Sequence, residues 1–165
     1  MASTNDLETN LNLNGMRAAI AQAKKSEAEG GIPIGSALVY HDPVTKEDKI
    51  LGQSHNQRVQ KASATLHAEI ATLEVAGRLK ADVYRNCTIY TTLSPCSMCT
   101  GAILLFKIPR VVIGENITFL GGDDLLRAHG VELTILDDIN CKEMMTEFIK
   151  KHPNEWNEDI GEKDS

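Results

Sequence analysis

Residues 66–107 read LHAEIATLEVAGRLKADVYRNCTIYTTLSPCSMCTGAILLFK and carry the signals of a helix, a strand and a second helix in succession. The pattern predicts helices over 66–79 and 96–107 and a strand over 87–92. Strands that alternate with helices along a chain are joined by crossover connections, which build parallel sheets. This segment therefore predicts an α/β fold.

Helix and strand patterns continue on both sides of that segment. The further helices are predicted over 15–29, 124–129, 138–151 and 154–160. The further strands are predicted over 36–40, 50–55, 110–114 and 131–136, with a polar hairpin loop joining the first two. We therefore expect a three-layer α/β/α sandwich with a mixed five-stranded sheet, largely parallel, to which the hairpin adds an antiparallel edge.

Length and composition fit one globular domain. The chain has 165 residues, of which 42% are hydrophobic and 24% charged, close to the averages of folded proteins. We expect residues 1–13 to form a flexible leader and residues 14–165 a single domain. No apolar run approaches the roughly 18 residues that a membrane span requires. The polar first ten residues lack the pattern of a secretory signal, so we expect a cytoplasmic location, with the nucleus as a second one.

The charge balance argues against a nucleic-acid partner. Seventeen Lys and Arg against 23 Asp and Glu give a net charge of −6. Proteins that bind nucleic acid usually carry a basic stripe that neutralises phosphates, and this chain has none. We therefore expect neither a nucleic acid nor a membrane as a partner.

Two short motifs supply the residues of a metal site. His67-Ala68-Glu69 opens one predicted helix, and Pro95-Cys96-Ser97-Met98-Cys99 opens another, with Pro95 expected at the first helical position. Cys96 and Cys99 share one helical face, so both thiolates can bind the same ion. With His67 they make three ligands, which is the pattern of catalytic zinc, where an open position remains for water. Cys87 and Cys141 are expected to be small buried hydrophobic residues.

Glu69 supplies a candidate acid–base group. Residues two apart on a helix normally face different directions, but in the first turn both side chains can reach a site beyond the helix end. A carboxylate there can move protons between water and a substrate. Redox chemistry of the two cysteines and a purely structural zinc site are the alternatives. Glu69 argues against the structural site, which has no use for a free carboxylate.

Together, H-x-E and P-C-x-x-C are the signature of zinc deaminases. The chain resembles the cytidine deaminase superfamily and, within it, the fungal cytosine deaminases. The resemblance covers nearly all of residues 14–162 and includes segments outside the two motifs. These segments are 29–35, 52–56, 61–67, 90–96, 99–103, 108–110, 114–116 and 158–162.

The resemblance implies a homodimer with one Zn²⁺ per subunit, held by His67, Cys96 and Cys99. Glu69 would be the proton shuttle. The residues implied to hold a pyrimidine base are Asn56 at O2, Asp159 at the exocyclic amine, and the backbone around Ala68 and Ser94. The residues implied to form a hydrophobic lid are Phe119, Trp156 and Ile160.

The resemblance implies zinc-dependent hydrolytic deamination of free cytosine to uracil and ammonia, in pyrimidine salvage. The alternatives are a tRNA adenosine deaminase, which shares both motifs, and a nucleoside or nucleotide cytidine deaminase. A non-catalytic zinc-stabilised scaffold is a further alternative. Two positions depart from the fungal pattern: Ala68 replaces a glycine, and Asn157 replaces an aromatic residue beside Trp156.

Overall fold

The computed structural model describes residues 13–164. The helices are α1 Asn14–Ala28, α2 Arg58–Lys61, α3 Ala68–Ala76, α4 Ala81–Tyr84, α5 Ser97–Phe106, α6 Asp123–Ala128, α7 Ile139–Lys151 and α8 Pro153–Asp159. The strands are β1 Gly35–His41, β2 Asp48–His55, β3 Cys87–Leu93, β4 Arg110–Glu115 and β5 Glu132–Ile135. The leader expected over 1–13 lies outside the described residues, except for Leu13.

The strands form one five-stranded sheet in the order β2-β1-β3-β4-β5. β3, β4 and β5 run parallel to one another, whereas β1 is antiparallel to both of its neighbours. The mixed, largely parallel sheet is confirmed, because β2, β3, β4 and β5 all run in one direction and only β1 opposes them. The hairpin of β1 and β2 forms the expected antiparallel edge, with β2 outermost. The connection from β2 through α3 to β3 passes over β1, which lies between the two strands that it joins.

Helices cover both faces of the sheet. On one face Met16 and Ala19 of α1 pack against Tyr90 and Val112. On the other face Ile103 of α5 and Leu126 of α6 pack against strand residues. The strand residues in that second cluster are Leu38, Ile89, Val111 and Ile113. The three-layer α/β/α arrangement is therefore confirmed.

Close backbone contact fixes the position of α1. A Cβ atom on Gly35, the first residue of β1, would lie 1.9 Å from the carbonyl oxygen of Ala19. Only glycine allows this approach without displacing the helix. Within the described residues, no helix combines the length and the apolar character that crossing a bilayer requires.

Several predicted helix boundaries need correction. The helix expected over 66–79 covers only Ala68–Ala76, and the short helices α2 and α4 were not predicted. Pro153 is the first residue of α8 and starts that helix, as proline's fixed φ angle favours. Cys87 and Cys141 are both 1% exposed, as expected of small buried residues.

Candidate active site

Three strands end at the same edge of the sheet. β2, β3 and β4 point in one direction, because β1 is antiparallel to both β2 and β3 and β4 is parallel to β3. Asn56 directly follows β2, and Ser94 directly follows β3. The carboxyl ends of strands in open α/β sheets are the usual location of ligand sites. The predicted site residues are gathered at this edge.

His67 and Cys96 occupy equivalent positions at the starts of two helices. Each is the N-cap residue, of α3 and α5 respectively, with an extended backbone and no side-chain bond to its own helix. Both side chains are therefore free to meet beyond the helix ends. Pro95 was expected at the first helical position, but it precedes the cap because Cys96 still has an extended ψ of 176°. Cys99, the third residue of α5, is fully buried.

The three expected metal ligands lie together. The donor atoms of His67, Cys96 and Cys99 are all within 4.8 Å of one another. His67 Nδ1 faces the sulfurs, at 3.3 Å from Cys96 Sγ, while Nε2 lies 3.4 Å from the Asp159 carboxylate. A metal-binding histidine usually has its second nitrogen bonded to an orienting carboxylate in this way. Two thiols and one imidazole are donors that zinc prefers, so the residues fit a zinc ion.

The charges of the metal-free site also suit a cation. Burial lowers the pKa of His67, but hydrogen bonds with Asp159 and Cys96 outweigh it and raise the pKa to about 10. The pKa of Cys96 is lowered to about 4. The hydrogen bond from Cys99 is the largest cause; burial opposes it, and the hydrogen bond from His67 lowers the pKa further. The same contact with Cys96, together with burial, raises the pKa of Cys99. A cationic imidazole thus lies between a thiolate and a carboxylate, and a metal ion can replace that positive charge.

Glu69 lies beside the ligands, in the first turn of α3. Its side chain is buried, at 4% exposure, and burial raises the pKa of its carboxyl group although His67 opposes this. His67 and Glu69 line the same small cavity. A carboxyl group with a raised pKa more readily holds and releases a proton, which is what general acid–base catalysis requires.

Asn56 and Asp159 are joined across the site. Asn56 is fully buried and its Nδ2 donates to Asp159 Oδ1 at 2.9 Å. Asn56 Oδ1 accepts from the backbone N–H of Arg58 at 3.0 Å, which fixes the orientation of the amide. Burial raises the pKa of Asp159, but the contacts with His67, Asn56 and Arg58 together lower it. Asp159 is thus held as a carboxylate.

Arg58 is a site residue that the sequence reasoning missed. Its Nη1 lies 3.3 Å from Asp159 Oδ1, and its Nη2 lies 3.4 Å from Glu158 Oε1. Its Nε donates to the carbonyl of Ala64 at 3.1 Å. Arg58 follows Asn56 by only two positions, but no local pattern shows that its partners are about a hundred residues away.

A small cavity lies among these side chains. Its volume is about 20 Å³, which is room for roughly one water molecule. Phe119 and Trp156 meet edge to face over it, with ring centroids 5.8 Å apart. The cavity is lined by the predicted residues Asn56, His67, Ala68, Glu69, Ser94, Cys96, Phe119, Trp156, Asp159 and Ile160, together with Ile34 and Leu93. Of the predicted site residues, only Cys99 does not line it.

The model of the cytidine and deoxycytidylate deaminase zinc-binding region matches residues 10–115. The chain belongs to this family. The matched region contains Glu69 and the three possible zinc ligands, His67, Cys96 and Cys99. Asp159, Trp156 and Ile160 lie outside it.

Relatives with two different named activities are similar to the chain. It is 57% identical over 148 residues to a cytosine deaminase of Candida albicans, covering 90% of this chain and 95% of the relative. It is 35% identical over 152 residues to a tRNA-specific adenosine deaminase of Haemophilus influenzae, covering 85% and 84%. A solved guanine deaminase from Nitrosomonas europaea shares the fold, with a TM-score of 0.64 and 19% identity over 90% of this chain and 93% of that one.

Proposed function

We propose that the chain catalyses the hydrolytic deamination of free cytosine to uracil and ammonia. The observation that carries the proposal is the set of Asn56, Glu69 and Asp159 lining one small cavity beside the metal ligands. The cavity has room for about one water molecule, so a planar base can enter only when the lining side chains Phe119 and Trp156 move apart. Aromatic side chains beside the site leave less room for a polynucleotide than for a free base. The 57% identity to the Candida albicans cytosine deaminase supports the same substrate.

His67, Cys96 and Cys99 would hold the zinc ion. When bound, zinc lowers the pKa of a water molecule from 15.7 to about 7 and so makes a nucleophile available at neutral pH. Asn56 has a second amide proton that its bond to Asp159 does not use, and it would donate this proton to the pyrimidine O2. Within residues 13–164 the contacts of Asp159 with Asn56, Arg58 and His67 are all made at Oδ1, so Oδ2 would accept from the exocyclic amine.

Glu69 would move the protons. It takes a proton from the attacking water and delivers it to ring N3, while the water oxygen bonds to C4. It then takes the remaining proton from the new C4 hydroxyl and gives it to the amino nitrogen. The C4–N bond breaks, C4 becomes the carbonyl of uracil, and ammonia leaves. The backbone around Ala68 and Ser94 would support the base, and Phe119, Trp156 and Ile160 would exclude bulk water.

The same proposal includes a homodimer. α3, α4 and α5 enclose an apolar groove of about 620 Å³ on the surface, distinct from the cavity. Leu105, in this groove, is 72% exposed, and Phe106 stacks on Tyr84 with ring centroids 4.8 Å apart. An exposed apolar surface of this kind is typical of a protein interface. We propose that a second copy of the chain covers this groove.

Cytosine deamination yields uracil, so we also propose that the enzyme acts in pyrimidine salvage, in the cytoplasm.

The decisive experiment is a substrate comparison with the zinc-loaded protein. We expect cytosine to lose its absorbance rapidly and cytidine and its monophosphate to remain unchanged. Turnover of cytidine instead would move the substrate to the nucleosides. Inosine formation in tRNA, without cytosine turnover, would favour the adenosine deaminase activity named for the Haemophilus influenzae relative.

A further inference from the structure

Thr91 is a polar residue between two apolar residues on the same face of β3. It lies on β3 between Ile89 and Leu93, and side chains two apart on a strand share one face. Ile89 and Leu93 are both buried in apolar clusters, and Thr91 itself is 0% exposed. Valine has the same shape as threonine and would fill this position without a polar group to satisfy. The hydroxyl must therefore be explained by its hydrogen bonds.

The Thr91 hydroxyl contacts Glu69. Its Oγ1 lies 2.9 Å from Glu69 Oε1 and 3.0 Å from the backbone carbonyl oxygen of Leu93. A hydroxyl has one proton to donate, so only one of these acceptors can receive it at a time. The contact with Glu69 is the shorter of the two, and it is the one that joins Thr91 to a side chain of the site.

The two residues come from different layers of the fold. Glu69 projects from the first turn of α3, and Thr91 from the strand at the middle of the sheet. Every residue of β3 is buried, so Thr91 has little freedom to move. Glutamate has three rotatable side-chain bonds, and a bond from a rigid strand removes much of that freedom.

We propose that Thr91 is a positioning residue for Glu69. It holds the carboxyl group through Oε1, in addition to the hydrogen bond that Glu69 shares with Cys99, so that the group lies beside the cavity in one fixed orientation for proton transfer. The inference rests on the proposed role of Glu69 as the proton shuttle. A displacement of about 1 Å in a reacting group can lower a rate about 100-fold, so fixing this carboxylate matters for turnover more than for substrate binding.

The test is Thr91→Val, which removes the hydroxyl and keeps the shape, with Thr91→Ser as the conservative variant. We expect Thr91→Val to lower kcat about 10- to 100-fold, the usual effect of removing a supporting partner. KM for cytosine should change less than twofold, and Thr91→Ser should recover most of kcat.

Thr72→Val is the matched control: Thr72 is also fully buried, on the same helix as Glu69, and within the described residues its hydroxyl has no hydrogen-bond partner. It should leave kcat and KM unchanged.

Two kinetic results would overturn the proposal. One is a Thr91→Val enzyme that behaves like Thr72→Val. The other is a loss of kcat that Thr91→Ser does not recover, since packing and not the hydroxyl would then be responsible. If Thr91→Val does not fold, Thr91→Ala replaces it, because alanine and serine at this position differ only by the hydroxyl oxygen.

Crystal structures of the zinc-loaded wild type and Thr91→Val provide a readout besides activity. We expect the Glu69 carboxylate to leave its wild-type position in the variant, while zinc content stays at one per chain. An unmoved carboxylate would contradict the proposal. If the wild type does not deaminate cytosine, the proposed function fails, and the carboxylate position alone decides the role of Thr91.

Discussion

At the scale of single residues, Asp159 carries more contacts than any sequence motif indicates. Its Oδ1 accepts a hydrogen bond from Asn56 Nδ2 and lies 3.3 Å from Arg58 Nη1 and 3.4 Å from His67 Nε2. Asn56 is the residue proposed to bind the base, Arg58 begins α2, and His67 is a possible zinc ligand. One carboxylate oxygen therefore links the part of the site that would bind a base to the part that would bind zinc.

Glu69→Gln should keep zinc and lose turnover. The amide has nearly the same shape as the carboxyl group, but it cannot accept and release protons. General acid–base catalysis contributes about 10²- to 10⁴-fold to a rate, so kcat for cytosine should fall by at least that much. Zinc content by atomic absorption and kcat by the absorbance assay check this. Glu47→Gln, in the exposed hairpin loop, is the control. A Glu69→Gln enzyme that retains normal kcat at full zinc occupancy would exclude Glu69 as the shuttle.

Metal removal should expose one unusually reactive thiol. In the metal-free site the pKa of Cys96 is about 4, so above that pH this residue is a thiolate, the nucleophilic form. Burial raises the pKa of Cys87 to about 12 and also raises that of Cys141, so both stay protonated. At pH 6 we expect iodoacetamide to label Cys96 after chelation and not before it, with Cys87 and Cys141 as internal controls. Mass spectrometry of the labelled peptides measures this. Equal labelling with and without zinc would show that Cys96 is not a ligand.

At the scale of elements, α8 is the segment that completes the site. It carries Trp156 and Asp159, and Ile160 follows directly after it. Trp156 packs with Met145 and Phe148 of α7 in an apolar cluster. Arg58 contacts Glu158 and Asp159 at the far end of the helix. The helix is thus held from one side by apolar packing and from the other by a guanidinium group.

Arg58→Met should loosen α8 and weaken substrate binding. Hydrogen bonds to charged groups contribute about 1.5–3 kcal/mol, so losing them should raise KM for cytosine about 10-fold or more. Zinc content should not change, because Arg58 contacts none of the three ligands. Arg127→Met is the control: Arg127 lies 3.5 Å from Asp124 in an exposed pair, and such pairs contribute little. Unchanged KM in Arg58→Met would show that the apolar contacts alone hold the helix.

The elements also show what sequence can and cannot predict. The metal ligands could be predicted from two short motifs, the Cys96/Cys99 pair and the H-x-E of His67. Each motif lies at the start of a helix, so it is visible in its own segment of the sequence. The position of β1 between β2 and β3 could not be predicted, since strand order depends on contacts across the whole sheet. Arg58 and Thr91 were missed because each looks ordinary in its own segment: neither belongs to a motif that indicates its partner, which is 101 residues away for Arg58 and 22 for Thr91.

At the scale of the whole molecule, the groove between α3, α4 and α5 predicts the oligomeric state. Leu105→Glu places a charge on this exposed apolar surface, and burying it against a second copy would be costly. We expect the wild type to sediment as a dimer and Leu105→Glu as a monomer. Val44→Glu is the control, because Val44 is 85% exposed in the hairpin loop, away from the groove. A Leu105→Glu protein that remains dimeric would place the interface elsewhere.

The bond between Asn56 and Asp159 joins residues 103 positions apart, and this has a consequence for biosynthesis. His67, Cys96 and Cys99 leave the ribosome well before Asp159 is translated. All three possible zinc ligands are therefore synthesised before Asp159, whose carboxylate contacts His67. A chain cut short before the last helix would therefore lack Trp156, Asp159 and Ile160, and with them part of the lining of the cavity.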